Sequence, residues 1–523
     1  MYRKVHTMAH SRRSLLSLSM LVSAFATGFA LATPALAGAG VIEAERAKRL
    51  EQACDRTWVR PTAIIVMTGP AKARGTTQKA DSIRFALAYS ERTPADLLEI
   101  LARDPDVRIR GGVAGNPSAP LSALRFLAND QARRVRAGLA GNCSSTADIL
   151  AQLAADEDRQ IRGDVAANPV TPSAVLERLA NDPDDRVRAD VIFNPNVPDT
   201  IIAGAAHGAT YFQAKAIADS LNAAPETLLK MLNADDPNIR ATLAENPLLP
   251  PSAYGTLAAD EDAGVRAALL VQASLPPELL VKLAADPDAK VRYAVGRHPE
   301  TPAELLRVLA DDADRQVPWL IAENPNTPPN VLAALAQSKD EYVRMRAGRN
   351  VNTPLEAVRA LLRDPYPYVR IETLGNPDLP PDILREFARS RSKDERLSVV
   401  YHSNTPPDVI AALAGDADER VRASTAYKDR APLTVLEGLV NDPSPLVRRN
   451  AARNARLGPE FLEKLAADDN ADVRLALAKN TSTPTHILEA LSKGASRRTL
   501  EKIVNHPNAT PDFLSGLFAA SQE

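Results

Sequence analysis

The sequence predicts an all-α solenoid, and three observations carry that reading. A 26-residue unit, NPNTPPNVLAALAQSKDEYVRMRAGR at residues 324–349, is restated along most of the 523-residue chain. The proline at its fifth position, Pro328, has counterparts at Pro94, Pro120, Pro172, Pro198, Pro250, Pro276, Pro302, Pro354, Pro380, Pro406, Pro432 and Pro484, each a whole number of periods away. Aromatic residues make up only 4% of the chain, which suits many thin helical layers better than one deep core. A fixed period in this range marks one supersecondary unit stacked on itself.

Residues 1–37 read as a targeting segment. Arg3, Lys4, Arg12 and Arg13 form a positive start, no charge follows from Ser14 to Ile42, and Ala35-Leu36-Ala37 is a cleavage signal before Gly38. Ser11-Arg12-Arg13-Ser14-Leu15-Leu16 resembles a twin-arginine export signal. An ordinary secretory signal and an uncleaved anchor are the other readings of the same run. No later segment is long and apolar enough to cross a membrane. Without the signal the chain has 59 Lys and Arg against 65 Asp and Glu, a net charge of −6. That balance argues against a nucleic-acid partner.

Residues 38–89 read as an N-terminal cap. A helix is expected over residues 41–56, a β-prone run over 62–67 and a loop over 69–77. Ile83, Arg84 and Leu87 each precede Ile109, Arg110 and Val113 by one period, so the cap ends in a degenerate repeat. Sixteen full copies follow at residues 90–505, and a partial one closes the chain at 506–523. The copy at 220–245 is shifted locally, with Pro225 one residue late.

Each copy predicts two short helices. Thr327 reads as an N-cap with Pro328 at the first helical position. Asp96, Glu304, Glu356 and Asp408 suggest capping boxes in some copies. Val331, Leu332 and Leu335 form the first apolar stripe, and pairs such as Val187 with Val191 and Val291 with Val295 form the second. Asn or His then ends the second helix, read as a left-handed terminus. Neither helix is long enough to stand alone in water, so stacking must supply the core.

These elements, N-P-x-T-P-P-x-V-L-x-x-L-A and D-P-D-x-x-V-R-x-x-V-A, resemble the leucine-rich repeat variant family, with copies 168–193 and 298–323 among the good matches. The second half also looks like a HEAT repeat. The resemblance implies a right-handed superhelix of the armadillo-like kind in which one helix of each pair is 3₁₀. Members of this family can carry an N-terminal cysteine cluster for an iron–sulfur centre. This chain has only Cys54 and Cys143, too few for four thiolates, so that cofactor is not expected. In an exported protein the two cysteines are candidates for one disulfide.

The most regular polar features are arginine at position 21, in thirteen of the sixteen copies, and aspartate at position 15, in eleven. A residue present in every layer mostly serves stacking, so an Asp–Arg ladder between layers is expected rather than a polyanion site. Copies that break the ladder are better site candidates. Copy 194–219 has Gly208 and Ala214 at those positions and carries His207, Tyr211 and Phe212. Copy 298–323 has Pro318, expected to kink or shorten its helix, followed by Trp319. Tyr211, Phe212 and Trp319 are therefore the candidate binding residues. His298, His402 and His506 stand four layers apart in the asparagine position and cannot share a metal.

No motif for metal hydrolysis, phosphate binding, a serine nucleophile or paired cysteines occurs, so no catalytic, metal or cofactor residues are assigned. The expectation is an exported, non-enzymatic scaffold of the periplasm or cell envelope, binding a protein or peptide on an extended concave face. The alternatives are a structural spacer or assembly factor of an envelope complex, or an accessory protein for cofactor handling.

Overall fold

The computed structural model describes residues 76–493 and 495–521, all within the compact unit Ala53–Glu523. The targeting segment, the elements expected over residues 41–56 and 62–67, most of the loop at 69–77 and Cys54 lie outside the described residues. The described residues form helices joined by short turns, with no strand among them. The fold is an all-helical solenoid of two-helix repeats.

A typical copy pairs a seven-residue first helix, such as Pro329–Leu335, with a nine-residue second helix, such as Glu341–Arg349. Both are α in most copies. Among the described residues, the 3₁₀ geometry implied by the family resemblance is confined to Lys230–Asn233 and Pro251–Ala253. The first of these follows Pro225–Leu229, in the copy whose proline is one residue late.

Three local expectations are corrected. Pro328 occupies the N-cap itself, extended at φ −60° and ψ 146°, and Pro329 takes the first helical position. Threonine at position 4 does not cap the first helix. It donates back to a carbonyl of the preceding second helix, as Thr93 does to Leu87 at 2.7 Å and Thr171 to Val165 at 2.6 Å. The capping boxes suggested by Asp96, Glu304, Glu356 and Asp408 are not formed, because no side chain caps those helices. A capping box does form at Thr210 with Gln213.

The position-1 asparagines are not left-handed either. Asn168 is extended, at φ −69° and ψ 123°. Its Nδ2 donates to Asn142, which opens the preceding copy, at 3.1 Å and to Ala140 two residues before it at 2.7 Å, and its Oδ1 accepts from Val170 N–H. One side chain thus satisfies backbone groups in two layers, and it is buried there. His298, His402 and His506 do the same work through Nε2, at 2.7–2.9 Å from the position-1 carbonyl of the copy before. Nδ1 of each accepts an N–H two residues on, so each ring is the Nε2–H tautomer.

The arginine ladder joins neighbouring layers as expected. Arg292 Nε is 2.6 Å from Asp312 of the next copy, and its Nη1 donates to the carbonyls of Asp286 and Pro287. Arg110–Asp130, Arg240–Asp260, Arg266–Asp286 and Arg448–Asp468 repeat the geometry at 2.6–2.7 Å. Both partners are lost together at three places in the ladder. Ala214 stands opposite Ala234, Pro318 opposite Ser338 and Leu500 opposite Ala520. Arg188 and Arg474 have glycine, Gly208 and Gly494, at the aspartate position, and each guanidinium keeps two carbonyls of its own copy instead. Arg370 keeps a carboxylate by another route, binding Glu395 at 2.7 Å where Ser390 has replaced the aspartate.

Second helices of successive copies pack closely on one another, whereas successive first helices touch sparingly. The second helices therefore line the inner side of the curve. At Gly348 an added Cβ would stand 2.1 Å from Thr373 of the next copy, which shows how closely this layer is packed.

The stack does not remain open. Asn116 donates to Ala88, two residues before the start of the copy ahead of it. Ser90 donates in the same way to Val504, two residues before His506. Arg92 reaches Pro507, as Ser118 reaches Glu91. The copy that begins at His506 is thus the neighbour of the copy that begins at Ser90, in register. Its first helix is Pro511–Ala519 and its second helix is Thr76–Tyr89, supplied by the opposite end of the chain. Thr76–Tyr89 packs on Arg497–Val504 and on Pro511–Ala519, and Arg84 continues the ladder to Asp104 at 3.0 Å. The partial C-terminal copy and the degenerate N-terminal one complete each other. Leu500, Ile503, Val504, Leu514 and Leu517 share one core with Ile83, Phe85 and Leu87.

Candidate binding face

Positions 19, 22, 23 and 26 of each copy lie on the side of the second helix turned away from the first. Along most of the circuit they carry small or charged residues. Six consecutive copies instead present an aromatic there: Tyr293, Trp319, Tyr342, Tyr368, Tyr401 and Tyr427. Tyr342, Tyr368, Tyr401 and Tyr427 are exposed, Tyr401 by 65%. Tyr293 and Trp319 are half-buried against the core. Half the chain's twelve tyrosines and tryptophans sit on this track.

Arginines brace it. The Trp319 and Tyr342 rings are 6.2 Å apart, with Arg346 over Trp319 at 5.1 Å and Arg315 over Tyr342 at 5.6 Å. Such contacts stabilise exposed rings by about 0.5–1 kcal/mol each. Arg346 is also held by Glu323 at 3.2 Å. Tyr366 and Tyr368 lie 5.7 Å apart, and Tyr401 Oη is 2.9 Å from Ser424 Oγ. Among the described residues, Trp319 Nε1 is buried with no hydrogen-bond acceptor. A buried indole N–H ordinarily finds a partner, so this one is an exception to the rule.

The candidates picked from ladder breaks separate into two places. Tyr211 and Phe212 are exposed, edge to face at 5.5 Å, with Arg186 over Phe212 at 5.0 Å. Gly208, at φ +74°, opens the turn before them. Trp319 is four copies further on, roughly 32–40 Å away at ~8–10 Å per layer. The three residues are not one pocket. Pro318 lies in the first turn of Gln316–Glu323, which begins one residue later in its copy than Glu341–Arg349 does in the next. Sequence reasoning found Trp319 and missed its four exposed tyrosine neighbours. Their signal was aromatics at positions 19 and 26 in successive copies.

A groove of about 380 Å³ between the second helices of copies 220–245 and 246–271 is lined by Asn238, Ala241, Glu245, Gly264, Ala267 and Val271. Burial, and then Asp219, holds the Glu245 carboxyl above its usual pKa. Among the described residues, no group of His, Cys, Asp and Glu is arranged to hold a metal ion, and no helix is long and apolar enough to cross a membrane. Cys143 is engaged in a disulfide.

One solved structure, described as a leucine-rich repeat variant with a novel repetitive structural motif, is 26% identical over 43% of this chain and 88% of that one, with a TM-score of 0.32. This chain is a helical repeat protein similar to that variant. Kap121p bound to Pho4p is 14% identical over 90% of this chain, with a TM-score of 0.23, and a full-length AP-3 complex is 11% identical over 86%, with a TM-score of 0.22. The chain spans 58% of the length of that Kap121p structure. No family model and no curated protein matches the sequence.

Proposed function

We propose that this chain is an exported, non-enzymatic scaffold that holds a protein or peptide partner on its second-helix face. The aromatic track from Tyr293 to Tyr427 carries the reading. Tyrosine, tryptophan and arginine are the side chains that dominate protein–protein affinity, because they bury large area with little loss of rotamer freedom. Here they are preorganised by cation–π contacts and ion pairs on short, well-packed helices. Export rests on the positive start, the charge-free run and the Ala35-Leu36-Ala37 signal of the sequence.

Closure favours a binder over a spacer, since a closed circuit bridges little distance. Seventeen layers at ~8–10 Å give an inner circuit of roughly 140–170 Å. Its opening is on the order of 30–45 Å after allowance for helix width, enough for an extended segment or a small domain.

The test is crosslinking from a photoreactive residue at position 368, in the envelope fraction of the native host, followed by mass spectrometry. One dominant partner is expected, lost on Trp319→Ala with Tyr342→Ala. Absence of an enriched partner overturns the proposal.

A further inference from the structure

Directly beyond Tyr427, the same face changes character. The next three copies present Arg449, Arg453, Lys479, Arg498 and Lys502 at positions 22, 26, 26, 19 and 23. Among the described residues, none of the five is paired. The ion pairs of these copies join Arg448 to Asp468, His486 to Glu463 and Arg497 to Glu501. Arg449 Nε and Arg453 Nε are buried and have no hydrogen-bond partner. This departs from the rule elsewhere in the molecule, where ladder arginines keep a carboxylate or carbonyls. Partial desolvation, and then Arg453, Arg498, Lys502 and Arg449, hold the Lys479 ammonium below its usual pKa. The carboxylates of this face in these copies are Asp472 and Glu501, and Glu501 is bound to Arg497.

We infer that Arg449, Arg453, Lys479, Arg498 and Lys502 form a docking site for an acidic polypeptide segment, continuous with the tyrosine track. The inference rests on the scaffold reading and specifies the chemistry of its partner. Unpaired guanidinium forks fit carboxylates bidentately, and desolvated ones gain most from them. The five cations span three layers, ~16–20 Å. An extended chain covers that distance with about six residues. A segment rich in Glu or Asp there, followed by apolar residues over Tyr427 and Tyr401, matches the change from charge to aromatic along the face. Single-stranded nucleic acid fits less well. Its binding grooves interleave stacking rings with cations, whereas here the two are segregated.

The experiment uses the full mature chain and a fluorescein-labelled peptide with a run of about six glutamates, read by fluorescence anisotropy. The peptide is expected to bind, to weaken with added salt, and to lose roughly tenfold or more in affinity on R449Q with R453Q. K479Q with K502Q, at exposed positions, should weaken it as well and guards against a folding defect in the first variant. K290Q, on the same face but away from the cluster, should leave binding unchanged. The matching glutamine peptide should not bind. Equal binding by both double variants and the parent overturns the inference, as does equal binding of the glutamine peptide. Tighter binding of a single-stranded DNA of similar length overturns it too and makes the cluster a phosphate site. If position 368 still captures one partner while the glutamate peptide fails to bind, the scaffold stands and this site falls.

Discussion

Ser90 and Val504 are 414 residues apart in sequence and share a hydrogen bond of 3.1 Å. It is the same bond that Asn116 makes to Ala88 within the array, so the two chain ends meet as ordinary neighbours. Closure also removes the two exposed core ends that an open solenoid must cap.

Leu514 is fully buried at this junction, and Leu332 is fully buried in mid-array. Leu514→Ala and Leu332→Ala should each cost about 2–5 kcal/mol. Only Leu514→Ala should separate the ends. Energy transfer between dyes placed at exposed Glu91 and Asn505 would fall for the first variant and hold for the second. An equal fall for both would mean that the junction is not special.

The ladder predicts strong non-additivity. Arg292 and Asp312 are both largely buried, with side chains 18% and 8% exposed. Removing either alone should cost roughly 3 kcal/mol, because the partner stays desolvated and unpaired. Arg292→Ala with Asp312→Ala should cost clearly less than the two singles added, as the natural Ala214–Ala234 pairing implies. Urea unfolding of the four proteins supplies the cycle.

Acid should attack the ladder before the core. Hydrogen bonding from Arg292 holds the Asp312 carboxyl below 3.8, and Arg240 does the same for Asp260. A depressed carboxylate contributes stability that is complete well above 3.8 and is lost as pH falls through the folded value. Unfolding midpoints should therefore drop on acidification below about pH 4. Arg240→Met should flatten that part of the profile.

His506 gives the junction a second pH response. Burial, and then Arg92 against the opposing effect of the Asn480 carbonyl, leaves its pKa below 6.5. The unfolded chain thus takes up the proton first. Stability from the neutral ring is complete well above pH 6.5 and is lost as pH falls from there toward the folded value. His506→Asn restores the residue used in most copies and should remove this step. A melting-temperature profile between about pH 5 and 8 would show it.

Cys143 lies at the second position of its copy, beside the buried Asn142. Peptide mapping of the protein from its native host without reductant should recover Cys54 linked to Cys143. Its N-terminus should begin at Gly38. A start at Met1 would favour the anchor reading of the charge-free run.

Much of the fold was legible because a solenoid is local. Each stripe, proline and arginine acts within its own copy or the next, so a period in sequence becomes a period in space. The Asp–Arg ladder followed from that regularity. Local backbone geometry was less legible. Thr327 and Asn168 are residues that cap helices in many contexts, but here stacking offers them better partners in the preceding helix or copy.

The sequence alone determined the repeat, its two helices, the layer that holds the arginines and the poverty of catalytic motifs. Tertiary structure decided what depends on accumulated curvature. Small rotations between layers add up over the whole array, and only their sum brings Val504 to Ser90 and lets Thr76–Tyr89 complete the copy begun at His506. The same stacking puts Trp319, Tyr342, Tyr368, Tyr401 and Tyr427 on one track and gathers Arg449, Arg453, Lys479, Arg498 and Lys502 beyond it. No single copy contains enough of either cluster to reveal it, because each copy contributes only one or two of the side chains.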